Sequence, residues 1–357
     1  MKILFYQLNS KKPNLQSWKE GKYFGHPIFG ATHFPQYGID VEMSYDKNPD
    51  FYKKVKKNFK IELRRYLHSF KIAFSSKKYD LIYAPYPQGL EILILLRRLG
   101  LFRTPIAIFA HQTLRNPPNA IKRAFFRNFY KGVDILLFFS KTHYQESVDT
   151  GISDPAKMHT VSWGPDLDFY DKAIAEINED GQDYFVSTGK SKRDYKTVVD
   201  AFAQTESVFK LFVDDKVLEQ QLAVDKENVQ IIYQPVTTTS PYFLAAQLAK
   251  SIAVTICTQK VKGLNGITNL YEAMAMSKPV IITRNKYIDL DVEKEKIGLV
   301  VEVGDVEGWK KAINFFEQNP EIAAEYGKRG RELSEKEYNL ALFSQQVATV
   351  FKNSLGK

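Results

Sequence analysis

Short runs of apolar and β-branched residues alternate with helix-length segments along the whole 357-residue chain. In the first half the runs are Ile3–Gln7, Leu81–Ala84, Ile106–Ala110 and Ile135–Ser140. In the second half they are Tyr184–Thr188, Phe209–Val213, Val229–Tyr233, Ala253–Thr258, Val280–Thr283 and Leu299–Val303. Strands separated by helix-length connections pair through crossovers, so the pattern predicts βαβ units and parallel sheets. Each half has enough strands for its own doubly wound sheet. Between the halves, Ser162-Trp163-Gly164-Pro165-Asp166 breaks any regular element and sets the boundary near residue 165. The length agrees, being too great for most single cores. No repeat of domain-building length and no low-complexity tract interrupts the pattern. Two such domains on a short linker leave a cleft between the carboxyl ends of their sheets, where ligands bind.

Hydrophobic residues are 44% and charged residues 25%, the balance of a globular protein and not of a disordered one. The single cysteine, Cys257, excludes an internal disulfide, and six scattered histidines give no zinc-ligand spacing. Leu90–Phe102 is the nearest approach to a membrane-spanning run, and Glu91, Arg97 and Arg98 interrupt it. The opening MKILFYQLNS is too briefly apolar for a signal peptide and reads as a first strand, so a cytoplasmic protein is expected.

Charge is unevenly divided. Residues 1–165 hold 26 Lys+Arg against 12 Asp+Glu, or +14, and the remainder holds 24 against 29, or −5. Phe51–Lys78 carries ten Lys/Arg and one acid, Glu62, with Val55, Phe59, Leu63, Tyr66, Leu67, Phe70 and Phe74 at helical spacing. Ile121–Lys131, IKRAFFRNFYK, is a second basic, aromatic stretch. Two readings fit both stretches: helices with a solvated cationic face, or a patch that meets anionic lipid headgroups. No helix-turn-helix, zinc-finger or RNA-binding signature supports nucleic acid as the anionic partner.

The most informative segment is 263–283, GLNGITNLYEAMAMSKPVIIT. A strand leads into a glycine-containing loop, a helix begins near Leu270 and stops before Pro279, and a strand follows. Gly263 and Gly266 permit close approach of backbone to a ligand. The helix N-terminus suits a phosphate or sugar oxygen. Glu272, one turn in, can accept two hydrogen bonds from a cis-diol such as a ribose. Asn269 and Glu272 also have the spacing of a capping box, which needs no ligand.

This segment resembles the donor-site motif of GT-B glycosyltransferases, in particular retaining family four, the group 1 transferases. The resemblance rests on the run Glu272-Ala273-Met274-Ala275-Met276-Ser277-Lys278-Pro279-Val280-Ile281 after the glycine loop. It implies an α/β fold of GT-B type: two Rossmann-like, doubly wound parallel-sheet domains facing across a cleft. It implies an acceptor-binding domain over 1–165, a nucleotide-sugar donor domain over 166–337, and a final helix within 338–357 crossing back to the first domain. The family commonly has a second glutamate eight residues before the first-named one; here that place is Leu264.

Further likenesses follow in chain order. Val186–Tyr195 resembles the opening strand and loop of the donor domain, where Lys190 and Arg193 after Gly189 would hold the diphosphate. The backbone of Gly263, Asn265, Gly266, Ile267, Thr268 and Asn269 would assist them. Gly298–Asp305 resembles a late glycine–strand–G-D segment, and His159–Tyr170 the interdomain linker. Phe109–Gln112 resembles the strand end at which a histidine faces the cleft, making His111 the first catalytic candidate. Phe24–Gly30, without the usual Gly-Gly, stands at the loop after the first strand. Its Gly25, His26 and Gly30 are acceptor-site candidates, and His26 is the second catalytic one. His33, two turns along an expected helix from His26, reads as structural.

The implied chemistry is transfer of a sugar from a UDP- or GDP-linked donor to a glycan or lipid-linked acceptor, with retention. It needs no cofactor and no metal. Breaking the bond from C1 to the diphosphate builds negative charge on the leaving group, which cations and N–H groups stabilise. The triplets Asp166/Asp168 and Asp289/Asp291 have the D-x-D form of metal-dependent GT-A enzymes, and we read both as chance. If the enzyme inverts instead, His26 or His111 becomes the candidate general base. The expected setting is surface polysaccharide or glycolipid synthesis on the inner face of a membrane. Competing readings are a catalytically silent homologue serving as partner subunit or glycan binder, a sugar-nucleotide epimerase and, last, a nucleic-acid binder.

Overall fold

The computed structural model describes residues 1–8, 11–44, 63–75, 77–176, 184–235 and 239–356. The chain divides into two compact units. The first comprises Met1–Gly21, Gly25–Ser162 and Ala341–Lys357; the second comprises Lys22–Phe24 and Trp163–Leu340. The divisions fall between Ser162 and Trp163 and between Leu340 and Ala341, and the short piece Lys22–Phe24 joins the second unit, which the sequence does not foretell.

The first unit is built on β1 (Lys2–Phe5), β2 (Asp40–Met43), β3 (Leu81–Ala84), β4 (Ile106–Phe109), β5 (Ile135–Phe138) and β6 (Met158–Thr160). They form one sheet in the order β2-β1-β3-β4-β5-β6, and every pairing is parallel. Strands β3, β4 and β5 are buried at every position, which is why their sequences read as unbroken apolar runs. Strands β2 and β6, which have no such run and were not expected, are the two edges of this sheet; their polar residues face solvent. Helices α1 (Lys12–Lys19), α2 (Leu63–Ala73), α3 (Glu91–Arg98), α4 (Ala120–Lys131) and α5 (Lys141–Asp149) occupy the connections. Of the basic stretch 51–78 expected as one helix, residues 51–62 and 76 lie outside the described residues; α2 is its described helix.

The second unit repeats the plan. It uses β7 (Tyr184–Ser187), β8 (Phe209–Val213), β9 (Val229–Tyr233), β10 (Ser251–Ile256), β11 (Val280–Thr283) and β12 (Gly298–Val301), in the order β12-β11-β10-β7-β8-β9, again all parallel. Its helices are α6 (Leu167–Ala175), α7 (Tyr195–Phe202), α8 (Lys216–Leu222), α9 (Pro241–Ala249), α10 (Ile267–Ala275), α11 (Val306–Gln318) and α12 (Pro320–Lys336). Its core includes the stacked pair Phe202–Phe209 and the fully buried Trp309 and Phe316. A Cβ on Gly327 of α12 would stand 2.0 Å from the Ser277 carbonyl, so glycine there lets α12 close onto the end of α10.

The last helix, α13 (Leu340–Leu355), belongs to the first unit from Ala341 onward. Its Phe343 and Phe351 are fully buried, Phe351 against Tyr83 (ring centroids 5.0 Å apart) and Phe343 against Phe109 (5.9 Å). Where the chain enters α13, the Leu340 amide donates to the Pro165 carbonyl at 2.8 Å, and a Cβ on Gly164 would meet the backbone of Tyr338. The linker glycine is therefore fixed by packing as well as by chain direction.

Candidate functional site

In each sheet the strand order reverses once, and α/β proteins bind ligands beyond the strand ends at that reversal. In the second unit it falls between β7 and β10. The loops leaving those strands, 188–194 and 257–266, are tied together: Arg193 and Thr258 form an isolated antiparallel bridge, and the Asn265 side chain donates to the Ser191 carbonyl at 3.3 Å. Gly189 (φ +124°) and Gly266 (φ +94°) adopt backbone that favours glycine. Between them lies the Arg193 guanidinium, whose atoms come within 2.4 Å of an imagined Cβ on Gly189 and 3.7 Å of one on Gly266.

Helix α10 starts at Ile267, three residues earlier than expected, with Gly266 as N-cap and no side chain capping it. Asn269 therefore sits inside the first turn and makes no capping box with Glu272. Its side chain works as a junction instead. The Asn269 Oδ1 accepts from Arg193 Nη2, and its Nδ2 donates to Thr188 Oγ1 (2.9 Å) and Glu272 Oε2 (3.3 Å). Glu272 also holds a hydrogen bond with the buried Tyr170 of α6. Burial raises the Glu272 carboxyl to about 7, outweighing the pull of Tyr170, Arg193 and Asn269 in the other direction. Two guanidinium donors, Nε and Nη1 of Arg193, are buried and have no hydrogen-bond partner.

Four residues of this cluster escaped the sequence reading. Tyr170 anchors Glu272, Thr188 anchors Asn269, and Tyr195 donates through its hydroxyl to the Gly189 carbonyl at 2.8 Å. Asn285, just beyond β11, donates to the carbonyls of Gly263 (2.9 Å) and Asn265 (3.4 Å) and so holds the glycine loop. Asn285 and Thr188 had one available signal, a polar residue just beyond a strand's carboxyl end. Lys190 is exposed and paired with Asp214 (3.2 Å). Gly189, Gly263, Asn265, Gly266, Ile267, Thr268, Asn269, Arg193 and Glu272 all fall on the two tied loops and the first turns of α10.

The first-unit candidates lie beyond β1 and β4. His111 follows β4. Its Nε2 is 2.8 Å from the Pro85 carbonyl, which only accepts, so Nε2 carries the hydrogen and Nδ1 is left as acceptor. The ring stacks on Tyr86 (4.7 Å, 15°), with Phe29, Phe109 and Phe139 around it. Burial lowers its pKa, against the Pro85 hydrogen bond. His26 is buried, and desolvation takes its pKa down to about 3, so its imidazole stays neutral. Gly25 caps a short 3-10 turn, His26–Ile28, and a second turn, Phe34–Tyr37, follows; the single helix expected to join His26 to His33 is not formed. Gly30 (φ +84°) has the Phe34 ring where a Cβ would point, at 2.8 Å. His33 bonds its neighbour Thr32 (2.8 Å). Among the described residues, no group of three or more His, Cys, Asp or Glu is placed to share a metal ion.

Residues 170–333 match the family model described as glycosyl transferases group 1. Over those residues the chain is similar to the group 1 glycosyltransferases. The matched span contains the whole Arg193–Asn269–Glu272 cluster, with Tyr170 as its first residue. No curated protein sequence matches the chain. Among solved structures it is similar to HepE of Anabaena in complex with UDP, with 15% identity, 99% of this chain and 100% of that one covered, and a TM-score of 0.69. It is similar to a sucrose-phosphate synthase from Thermosynechococcus elongatus (16%, 99% of each chain, 0.70) and to a glycosyltransferase from Rickettsia africae (15%, 99% and 98%, 0.70). At these identities the likeness is one of fold: two Rossmann-like units of the GT-B glycosyltransferase type.

Proposed function

We propose that this protein is a glycosyltransferase that moves a sugar from a nucleotide-diphosphate donor, with retention and without a metal, onto a glycan or lipid-linked acceptor. The donor diphosphate lies between Gly189 and Gly266. The observation that carries this reading is the pair of buried, unpartnered Arg193 donors. An unmet buried donor costs about 1–3 kcal/mol, more when charged, and a phosphate oxygen supplies the missing acceptor. The α10 N-terminus, free of any side-chain cap, adds N–H groups and positive dipole at the same place.

As the bond from C1 to the diphosphate breaks, the guanidinium meets the charge growing on the leaving oxygen. That oxygen then takes the acceptor proton on the same face of the sugar. Glu272 accepts from the ribose hydroxyls, and binding a diol favours the ionised carboxylate that burial disfavours in its absence. His111, neutral with Nδ1 available, orients a sugar hydroxyl. UDP is the favoured nucleotide, since HepE is described in complex with UDP and with UDP-glucose. The reaction belongs to surface polysaccharide or glycolipid synthesis at the inner membrane face. A similar structure, WaaG, is described as a glycosyltransferase involved in lipopolysaccharide biosynthesis.

A thermal-shift screen with UDP, GDP, ADP and CMP on the wild type and Glu272→Ala tests this. At one hundred times its dissociation constant a ligand adds about 2.7 kcal/mol. A shift with one nucleotide that Glu272→Ala abolishes is the expected outcome. No shift with any of them defeats the reading and favours the catalytically silent homologue, for which the apolar Leu264 in the loop already argues.

A further inference from the structure

The chain enters the second unit at Lys22, leaves it after Phe24 and does not return to it until Trp163. Helix α1 does not bring these residues there by its own packing, since none of its residues is buried. Gly21, with φ +70°, follows the end of α1 and stops it. Rings then hold the piece in place. Tyr23 and Phe24 lie against each other with centroids 4.3 Å apart. Phe24 meets Phe169 of α6 edge to face, at 5.4 Å and 87°. Phe169 is buried and also touches Tyr242 of α9, at 4.7 Å.

Phe169 stands one residue before Tyr170, whose hydroxyl donates to Glu272, and the two rings are 5.3 Å apart and nearly perpendicular (89°). The N-cap of α6, Asp166, makes no side-chain capping bond, which leaves the direction of the first turn to side-chain packing. The groups that face the buried Tyr170 hydroxyl are Glu272 of α10, Asp166 and Tyr23. Those that face the Glu272 carboxyl are Tyr170, Arg193 and Asn269. Tyr170 and Asn269 are two donors on one carboxylate, so together they fix its plane and favour its ionised form.

We propose that Phe24 is a positioning residue of this cluster: by fixing Phe169 it aims the Tyr170 hydroxyl at Glu272. The glycosyl-transfer reading enters only through the consequence, that the aimed carboxylate offers its remaining acceptor sites to the ribose hydroxyls of the donor.

Carbon-13 titration of the Glu272 carboxyl in the ligand-free full chain tests the positioning, the signal being the one lost in Glu272→Gln. Tyr170→Phe removes a donor that favours the ionised form, so the midpoint should rise from about 7. Phe24→Ala should raise it as well, and Phe24→Tyr, which keeps the ring, should leave it in place. A merely destabilised fold would not move this midpoint. Should the alanine variant fail to fold, Phe24→Leu, which keeps most of the volume and removes the ring edge, should raise the midpoint in the same direction. Calorimetry with UDP at pH 7 reads the consequence. Tyr170→Phe should weaken binding about tenfold, as loss of one hydrogen bond to a charged group requires. Phe24→Ala should weaken it about threefold in the wild type and less than about 1.5-fold in the Tyr170→Phe background, because the hydroxyl through which it acts is then gone.

A midpoint that Tyr170→Phe raises and Phe24→Ala leaves in place overturns the proposal. So does a midpoint that Tyr170→Phe itself does not raise, or a Phe24→Ala effect on UDP of equal size in both backgrounds. A wild type that binds none of UDP, GDP, ADP and CMP removes the nucleotide reading, and the titration still decides the positioning. UDP binding with a midpoint unmoved by Phe24→Ala does the reverse.

Discussion

Both sheets reverse their strand order once, and a loop cluster stands beyond the strand ends at each reversal, yet the two clusters are built from opposite chemistry. In the second unit, Asn269 ties Arg193 to Glu272, and glycines leave room around the guanidinium. In the first unit, aromatic rings surround His111 and burial keeps His26 neutral. The same topology thus supports a polar cluster that joins a guanidinium to a carboxyl and an aromatic one that encloses neutral imidazoles. What differs is the side-chain set the loops supply: amide, guanidinium and glycine in one, phenylalanine, tyrosine and histidine in the other.

Removing the cation breaks this contrast most severely. Arg193→Ala should lower kcat by about 10²–10³, the effect of losing a donor that meets developing charge. Steady-state rates with a UDP-sugar measure it, and an unchanged kcat would take Arg193 out of the site. Next comes the backbone. Gly266→Ala forces a Cβ to 2.8 Å from Ile256 Cγ2 at a positive φ. Strain and overpacking together should cost about 3 kcal/mol in urea denaturation.

The pH dependence separates the two regions by sign. Glu272 has its folded pKa raised from 4.5 to about 7, so between these values the folded state binds more protons than the unfolded. Stability of the ligand-free protein then falls as pH rises across that window. Glu272→Gln should remove this fall and stabilise the empty protein at pH 8 by about 2 kcal/mol, a figure reduced for partial exposure. The same variant should bind nucleotide sugar more weakly. His26 has its folded pKa lowered from 6.5 to about 3, so the unfolded state takes up its proton first and stability falls as pH drops below 6.5. In His26→Asn that acid-side slope should flatten, whatever the variant's absolute stability. Melting curves from pH 4 to 8 read both slopes, and slopes of equal sign would erase the comparison. The smallest effect belongs to Lys190. As a partner of Asp214 on the surface, its loss in Lys190→Ala should cost under about 1 kcal/mol of stability. A large rise in KM for donor in that variant would show that the lysine leaves Asp214 to hold the diphosphate.

The sequence by itself determined the class of the fold and picked out the glycine loop, Arg193 and Glu272, which the fold brings into one cluster. Strands buried on both faces must be apolar throughout, so β3, β4, β5, β7 and β11 were plain in the chain. The glycine loop and Glu272 were legible because each side chain, or its absence, does its work within a few residues of its neighbours. Edge strands β2 and β6 escaped, since half of each faces water and breaks the apolar run. Tertiary structure alone decided that Asn269 joins three elements and caps none. Its partners Thr188 and Arg193 are 81 and 76 residues away, and only the adjacency of β7 and β10 brings them within reach. The same holds for Tyr170, Asn285 and the aromatic box around His111. Long-range hydrogen bonds and ring contacts are set by which strands lie side by side, and a strand's neighbours are not written in its own residues.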